Sequence, residues 1–356
     1  MSLEQWGFHP DLLREPLASG EICARVVEEQ KTQYRLATER GLLPALLAGR
    51  LLRPSIDRLD RPVVGDWVIA RAYWDEGKAV IQTVLPRQSL LRRKAAGETE
   101  AIQPLAANVD LTVIVSSLNK EFNEKRLHRY LTVAQSSGSA AALLLTKVDL
   151  APESRERAAE LSQKYSIPCF AICALSGEGL EQAKQLLQPG KTAVFVGSSG
   201  VGKSTLVNAL LGRSEQETST IREDDDRGRH TTTSRRLIQL ESGALVIDTP
   251  GLREIQLEAG QDEGLAGSFA PIEDLATECK FSNCSHETEP GCRVKAALAS
   301  GELAEADYQS YLKLRAELAF QLRKTDKAAA AAEKQKWKSI NKAQRAGYKE
   351  RDKGRK

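Results

Sequence analysis

Residues 192–205 read TAVFVGSSGVGKST, an apolar stretch followed by a glycine-rich loop. The first five residues predict a buried strand, and the segment from Thr205 to Leu211 predicts a helix. A Gly-x4-Gly-Lys-Ser loop between a strand and a helix predicts a phosphate site, because its backbone N–H groups and the helix N-terminus attract anions. Lys203 is expected to reach the β- and γ-phosphates, and the Ser204 hydroxyl is expected to bind magnesium.

A second segment fits the same phosphate site. Residues 248–251, Asp-Thr-Pro-Gly, begin 44 residues after Ser204 and follow the apolar residues 244–247. The Asp248 carboxylate at the end of that strand can hold magnesium through water, and the Gly251 N–H can contact the γ-phosphate. The tetrapeptide is a weak signal alone and a strong one at this distance from a phosphate loop.

Between these segments, residues 228–233 read GRHTTT. A threonine in such a loop can complete the magnesium coordination only while the γ-phosphate is present, which makes the loop a switch. Thr231 and Thr232 are both candidates, and the sequence does not choose between them. The alternative is a solvated, threonine-rich loop without a ligand.

Residues 146–149, Thr-Lys-Val-Asp, follow the apolar residues 141–145 and predict a base-reading loop at the carboxyl edge of a sheet. The Asp149 carboxylate can accept hydrogen bonds from N1–H and N2–H of guanine, a pair that adenine lacks. The aliphatic part of Lys147 is expected to line the base and the ribose.

Two other segments bear on base recognition. Residues 119–122 read NKEF, and they are rejected as the base motif because their fourth residue is not aspartate. Cys173 and Ala174 follow the next predicted strand, residues 167–172, and resemble a loop whose backbone N–H meets guanine O6.

The base-reading motif precedes the phosphate loop in this chain, the reverse of the usual order, and this marks a circularly permuted GTPase. With residues 228–233 and the spacing Cys279-x4-Cys284-x-His286-x5-Cys292, the chain resembles the RsgA (YjeQ/YloQ) family over nearly its whole length. It departs from that family's pattern at Thr146, where asparagine is common, and at Cys173, where serine is frequent. The first departure bears on nucleotide affinity more than on specificity.

The resemblance implies a late assembly factor that binds the 30S ribosomal subunit and its 16S rRNA, with a GTPase activity that the subunit stimulates. Leu252 stands where related enzymes carry a water-orienting glutamine, so the resemblance implies catalysis by His230 together with Lys203. The alternative for His230 is an exposed residue, or a phosphate contact without catalytic weight. The cofactor implied is magnesium with GTP, and the expected partners are GTP and GDP, with no membrane.

Two alternative functions remain beside the GTPase. One is a nucleotide-gated RNA-binding scaffold in which hydrolysis hardly matters. The other, a metabolic ATPase or kinase, is disfavoured by Asp149 and by the lack of an evident acceptor site. Turnover of GTP with and without isolated 30S subunits distinguishes the first of these from an assembly enzyme.

The rest of the chain indicates a multidomain protein. Five short apolar segments in residues 20–92 predict a β-barrel, best an OB-fold that binds RNA, with a barrel used only for packing as the alternative. From about residue 105, strands alternate with helices, which predicts a doubly wound α/β domain. We expect an OB-fold domain at 1–100, a circularly permuted GTPase domain at 101–262, a mainly helical zinc-binding domain at 263–326 and a basic tail at 327–356.

Three of the six cysteines fall with a histidine in one 14-residue window, Cys279-x4-Cys284-x-His286-x5-Cys292. Three thiolates and an imidazole suit one tetrahedral zinc ion without an open position, so the site is expected to be structural. Chance or redox use is the alternative, because the spacing is not the commonest one.

Charge is uneven along the chain. Residues 327–356 hold eleven Lys/Arg and three Asp/Glu, a net charge of +8, so the remainder carries −5 of the total of +3. Trp337 and Tyr348 lie within this tail, a composition that favours RNA, with a solvated basic helix as the alternative. No apolar run of about 18 residues is present and the N-terminus lacks a signal-peptide pattern, so we expect a cytoplasmic protein and, as suits a docking factor, a monomer.

The residues expected to contact the nucleotide or its magnesium are Thr146, Lys147, Val148, Asp149, Cys173, Ala174, Gly197, Ser198, Ser199, Gly200, Val201, Gly202, Lys203, Ser204, Thr205, Thr231, Thr232, Asp248 and Gly251.

Overall fold

A computed structural model of the chain describes residues 2–30, 33–53, 58–94, 102–118, 122–151, 153–198, 200–211, 235–248 and 269–325. The chain divides into two compact units, Met1–Gln256 and Leu257–Lys356. The strands are β1 (Glu21–Gln30), β2 (Gln33–Thr38), β3 (Gly41–Leu47), β4 (Trp67–Tyr73), β5 (Lys78–Val84), β6 (Leu90–Lys94), β7 (Ile102–Ala107), β8 (Leu111–Ser117), β9 (Ala140–Thr146), β10 (Cys169–Ala171), β11 (Thr192–Val196), β12 (Arg235–Gln239) and β13 (Leu245–Asp248). The helices are α1 (Glu124–Ser136), α2 (Ser154–Tyr165), α3 (Leu180–Leu186), α4 (Lys203–Leu211), α5 (Ala270–Thr277), α6 (Arg293–Ser300) and α7 (Glu305–Thr325).

The first five strands form a closed barrel in the order β1-β2-β3-β5-β4, with β4 pairing back to β1. All neighbours are antiparallel except β3 and β5. Along β3, Leu43 and Ala45 are buried while Leu42 and Leu46 are exposed, the alternation of a strand with one face on a core. The predicted β-barrel is thereby confirmed as a closed, OB-like barrel of five strands.

The α/β part of the first unit contains five parallel strands in the order β10-β9-β8-β11-β13, with β12 antiparallel at the side of β13. Val113 and Phe195 pack on one side of this sheet with Leu206 of α4. Ile114 and Leu143, which point to the other side of their strands, are buried as well. Both faces are therefore covered, as the doubly wound prediction requires.

Strand β8 starts two residues later than the apolar run from Val109 suggests. Both backbone groups of Val109 bond the Ser89 side chain: its N–H donates to Ser89 Oγ at 2.6 Å, and its carbonyl accepts from the same hydroxyl at 2.7 Å. A residue whose N–H and C=O are both bonded to one side chain does not pair in the sheet ladder.

The barrel and the α/β sheet are continuous, because β1 pairs antiparallel with β12. Arg235 bonds the Glu29 carboxylate at 3.1 Å, and Arg236 bonds the Glu28 carboxylate at 3.1 Å. The apolar run of residues 22–27 predicts a strand that ends before these two glutamates, whereas β1 continues to Gln30. The arginines of β12 supply the partners that make a doubly acidic strand end stable.

A buried arginine joins the same two parts. The guanidinium of Arg25, on β1, donates to the carbonyl oxygens of Gly65 and Asn108 at 3.2 Å each and to Thr192 Oγ1 at 2.8 Å. Burial lowers the pKa of Arg25 to about 10. Because Thr192 is the first residue of β11, this side chain links the barrel to the strand that leads into the glycine-rich loop.

In the second unit, α5 and α6 flank the predicted Cys/His segment and α7 follows it. The helix-forming composition of residues 302–325 corresponds to α7. Ring contacts join Phe269 to Tyr311 with their centroids 5.6 Å apart. No helix in the part of the chain that the structure describes has both the length and the apolar character needed to cross a membrane.

Candidate nucleotide site and metal centre

The predicted nucleotide motifs lie at one edge of the parallel sheet. The loops that follow β9, β10, β11 and β13 start at the carboxyl ends of parallel strands, which share one edge. The two base-reading segments follow β9 and β10, whereas the glycine-rich loop follows β11, and Asp248 ends β13. Strand β8 lies between β9 and β11, so the base and phosphate segments occupy opposite halves of this edge.

The glycine-rich loop requires its first glycine. Gly197 has φ 151°, and a Cβ added there would lie 2.2 Å from the carbonyl oxygen of Val115. The loop turns there against β8 and leads into α4, which begins at Lys203 and leaves Ser204 and Thr205 exposed. The Lys203 ammonium donates to the carbonyl oxygen of Gly197 at 2.6 Å and also to that of Ser198. The Lys203 side chain thus lies across the loop, where its ammonium group can meet an anion.

Thr146 connects the base-reading loop to the glycine-rich loop. Its hydroxyl donates to the Val201 carbonyl oxygen at 2.6 Å and lies 3.3 Å from the carbonyl oxygen of Ser116. The side chain is buried. The threonine that departs from the family pattern therefore makes a direct bond between the two predicted halves of the site.

Asp149 and Cys173 bring the two base-reading segments into contact. Lys147 adopts a left-handed conformation (φ 62°) and starts the short 3-10 turn Val148–Leu150, in which Asp149 is exposed. The Cys173 thiol donates to Asp149 Oδ1 at 3.4 Å, and Cys173 itself is buried. Ala174 packs against the core beneath the loop. The Asp149 carboxylate is therefore exposed to solvent on a turn that is bonded to the neighbouring loop. A carboxylate in this position can accept hydrogen bonds from the edge of a base.

Several predicted residues fall outside the described part of the chain: Ser199, His230, Thr231, Thr232, Gly251, residues 119–121 and the tail from residue 327. Of Asp248 the structure gives the backbone, which pairs with Arg236 across the β12–β13 ladder. The roles assigned to these residues remain predictions.

Two residues that the sequence did not single out contact the predicted site, one at the glycine-rich loop and one at the base-reading loop. Arg126, in the first turn of α1, donates to Ser198 Oγ. Ser116, at the end of β8, lies against Thr146. One sequence signal could have pointed to Arg126: its helix α1 follows strand β8, which ends at the sheet edge where the phosphate loop was expected.

The Cys/His segment of the second unit forms a tight donor cluster. The ligand atoms of Cys279, Cys284, His286 and Cys292 all lie within 4.8 Å of one another. Sγ of Cys279 and Sγ of Cys292 are 3.9 Å apart, and His286 Nδ1 lies 3.6 Å from the first and 3.5 Å from the second. Tetrahedral zinc with Zn–S of about 2.3 Å and Zn–N of about 2.0 Å requires separations of about 3.8 and 3.5 Å. The cluster can therefore hold a metal ion, and its spacing fits zinc.

The surroundings favour the metal-binding form of Cys279 and of His286, whereas burial raises the pKa of the Cys284 thiol to about 11. Burial alone would raise the pKa of the Cys279 thiol, but the backbone N–H groups of Arg293 and Val294 at the start of α6 lower it overall. Burial lowers the pKa of His286, which keeps its imidazole neutral. The Tyr308 hydroxyl donates to the His286 carbonyl at 2.6 Å and fixes its left-handed backbone, φ 65°. Neutral imidazole and thiolate are the forms that bind metals.

Comparison with known proteins bears on the whole chain. A family model described as RsgA GTPase matches residues 84–258. The small ribosomal subunit biogenesis GTPase RsgA 1 of Oceanobacillus iheyensis is 42% identical over 328 residues, which cover 91% of this chain and 93% of that protein. The crystal structure of YjeQ from Thermotoga maritima superposes with a TM-score of 0.63 at 29% identity, covering 84% of this chain and 98% of that one.

A second solved structure, that of YloQ, a circularly permuted GTPase, superposes with a TM-score of 0.61 at 23% identity and covers 86% of this chain and 98% of its own. That likeness supports the fold. The permuted order of motifs, the barrel and the near full-length match at 42% identity agree with the predicted resemblance, and the chain belongs to the RsgA GTPase family.

Proposed function

We propose that this chain binds GTP with magnesium, hydrolyses it to GDP and phosphate, and acts in the cytoplasm as a late biogenesis factor of the 30S ribosomal subunit. One observation supports nucleotide binding most strongly: the Thr146 hydroxyl bonds the Val201 carbonyl of the glycine-rich loop. This bond holds the base-reading and phosphate segments in one site. Membership in a family whose relatives are named small ribosomal subunit biogenesis GTPases supports the cellular role.

Guanine selection is assigned to Asp149, whose exposed carboxylate would accept hydrogen bonds from N1–H and N2–H of the base. The Cys173 thiol, 3.4 Å from the same carboxylate, orients it. An adenine base offers no donor pair to this carboxylate, so ATP is expected to bind poorly. Backbone groups of Cys173 and Ala174 complete the base pocket in this proposal.

Phosphate binding is assigned to the glycine-rich loop and to the start of α4. Lys203 already bonds carbonyl oxygens of the loop, and an entering phosphate offers its ammonium a stronger, charged acceptor. Magnesium, when bound, neutralises charge on the β- and γ-phosphates, and Ser204, Asp248 and one of Thr231 or Thr232 are the side chains proposed to hold it. His230 is proposed as the catalytic residue that works with Lys203.

The other parts of the chain are assigned by chemistry. The barrel (1–100) and the tail (327–356) are proposed to contact 16S rRNA. The segment 263–326, which follows the GTPase domain at 101–262 in sequence, is proposed as the zinc-binding domain. Zinc is favoured by sulfur and nitrogen separations of 3.5 to 3.9 Å between the ligands. Four protein ligands leave no open position, so the ion is structural. A monomer suits a factor that docks on a ribosomal particle.

The decisive experiment measures GTP turnover by the full chain alone, with isolated 30S subunits and with isolated 50S subunits. Strong stimulation by 30S and none by 50S supports the proposal. Turnover that neither subunit changes would overturn it and favour a nucleotide-gated RNA-binding scaffold. His230→Ala in the same assay tests the catalytic assignment, because retained 30S-stimulated turnover would exclude it.

A further inference from the structure

A positively charged side chain from outside the sequence motifs contacts the glycine-rich loop. Arg126 lies in the first turn of α1, and its guanidinium donates to Ser198 Oγ, the second residue of the loop. Sequence separates the two residues by 72 positions, so only the fold brings them together. The Lys203 ammonium bonds the carbonyl oxygen of the same serine. Two positive side chains therefore converge on Ser198.

No carboxylate pairs with Arg126 among the residues that the structure describes. Glu124, on the same helix turn as Arg126, bonds Arg157 and Lys164 of α2 instead. The positive charge of Arg126 therefore lies beside the loop that is proposed to bind phosphates, where it favours an anion.

The contact is direct. The cleft between α1 and the loop, lined by Ser117, Asn123, Arg126 and Ser198, has a volume of about 10 Å³. That volume holds one water molecule at most. Asn123 caps the helix by accepting from the Arg126 N–H through its side chain at 3.3 Å, which fixes the backbone from which the guanidinium extends. The exposed Arg126 side chain thus reaches the loop from a capped helix end.

We propose that Arg126 is a positioning residue of the phosphate site: it fixes Ser198, and through it the first turn of the loop, and its charge favours the nucleotide with the most phosphates. The inference rests on the proposed binding of guanine nucleotides. It assigns a part of the site to α1, which carries none of the sequence motifs.

The test measures dissociation constants of the full chain, without ribosomal particles, for fluorescent GTP and GDP and, by competition, for GMP. Arg126→Gln is expected to raise the Kd for GTP about tenfold, which corresponds to about 1.4 kcal/mol. The Kd for GDP should rise less, and that for GMP should not change. Ser198→Ala should weaken binding in the same order but by less, because it removes the contact and keeps the charge of Arg126. The double variant should bind no more weakly than Arg126→Gln, because the contact is already lost there.

Lys125→Gln is the matched control, since it removes one positive charge from the same helix turn at an exposed side chain. We expect its Kd values to stay within twofold of those of the unchanged protein. Arg126→Lys keeps the charge and one donor and should recover most of the affinity for GTP. Recovery by lysine and dependence on phosphate number are effects that a general loss of stability would not produce.

Three outcomes would overturn the inference: Arg126→Gln binding GTP within twofold of the unchanged protein, an equal loss for GMP and GTP, or an equal loss in Lys125→Gln. Additive effects of the Arg126 and Ser198 changes would exclude action through Ser198. If the unchanged protein binds no guanine nucleotide, the proposed function itself fails. If it binds GTP and the Arg126 variant binds equally well, only the role of Arg126 fails.

Discussion

Replacing Thr146 by valine removes one hydroxyl and nearly conserves the shape of the side chain. The hydroxyl donates to the Val201 carbonyl oxygen at 2.6 Å from a buried position, so water cannot readily replace it. A buried acceptor that loses its donor costs about 1–3 kcal/mol. We take about 1.5 kcal/mol for one neutral bond, which lowers the Tm of a unit of this size by about 3–6 °C.

The same bond should act on nucleotide affinity. In the valine variant the base-reading loop and the glycine-rich loop are no longer tied, so a nucleotide that contacts both must order them as it binds. If the whole 1.5 kcal/mol is transferred to binding, the Kd rises about tenfold. The loss should be equal for GTP, GDP and xanthosine triphosphate, because Thr146 bonds the backbone of the loop and Asp149 reads the base. Thr146→Asn, which restores the residue common in the family, should retain tight binding.

Calorimetric unfolding and titration of a fluorescent guanine nucleotide measure the two effects on one sample. The matched control is Thr112→Val, which removes another buried threonine hydroxyl, bonded to Ser139 Oγ at 2.7 Å near the start of β8. The Tm of the Thr112→Val control should fall by a similar amount, and its Kd for the nucleotide should not change. If the Thr146 and Thr112 variants lose the same Tm and both bind nucleotide within twofold of the unchanged protein, the link between the loops has no part in binding.

Three other changes test separate parts of the molecule. Asp149→Asn should weaken GTP binding and improve binding of xanthosine triphosphate, since xanthine has an oxygen where guanine has N2–H. Competition binding with both nucleotides measures this preference. An unchanged preference would exclude base reading by Asp149. Arg235→Gln leaves Glu29 unpaired, with 20% of that carboxylate side chain exposed, and should lower the free energy of unfolding by about 1–2 kcal/mol in urea. Arg236→Gln, whose side chain is 59% exposed, serves as its control and should lose less than about 1 kcal/mol; equal losses would contradict the argument from burial. Cys292→Ser should reduce bound zinc, measured by elemental analysis, well below one ion per chain, and full retention of the ion would remove Cys292 from the ligand set.

Local patterns predicted much of this fold. The five barrel segments, the parallel strands at β9 and β11 and the helix after the glycine-rich loop each carry a pattern that extends over a few neighbouring residues. The Cys/His cluster was predictable for the same reason, because its four ligands lie within 14 residues of one another. Short-range order is the information that a single sequence states most directly.

The contacts that the sequence did not reveal join distant segments. Glu29 and Arg235 are 206 positions apart, and Arg25 and Thr192 are 167 positions apart. Two adjacent glutamates predict the end of a strand unless the partner strand is known to bring arginines. An arginine in an apolar strand predicts an exposed side chain, whereas Arg25 is fully buried among carbonyl oxygens. Pairing across a fold depends on topology, which a pattern of period two does not contain.

Strand β12 connects the barrel to the strand that ends in Asp248. Strand β12 begins three residues after Thr232, and it pairs on one side with β13, which ends in Asp248, and on the other side with the barrel strand β1. In sequence, Asp248 and Gly251 are followed by the second unit, which begins at Leu257. Ladder hydrogen bonds fix the register of β1, β12 and β13. A movement of β1 that shifts β12 must therefore also act on β13. If RNA binds the barrel, as proposed, it is expected to bias the strand that ends in Asp248, the proposed magnesium ligand, through Glu28 and Glu29 and their arginine partners.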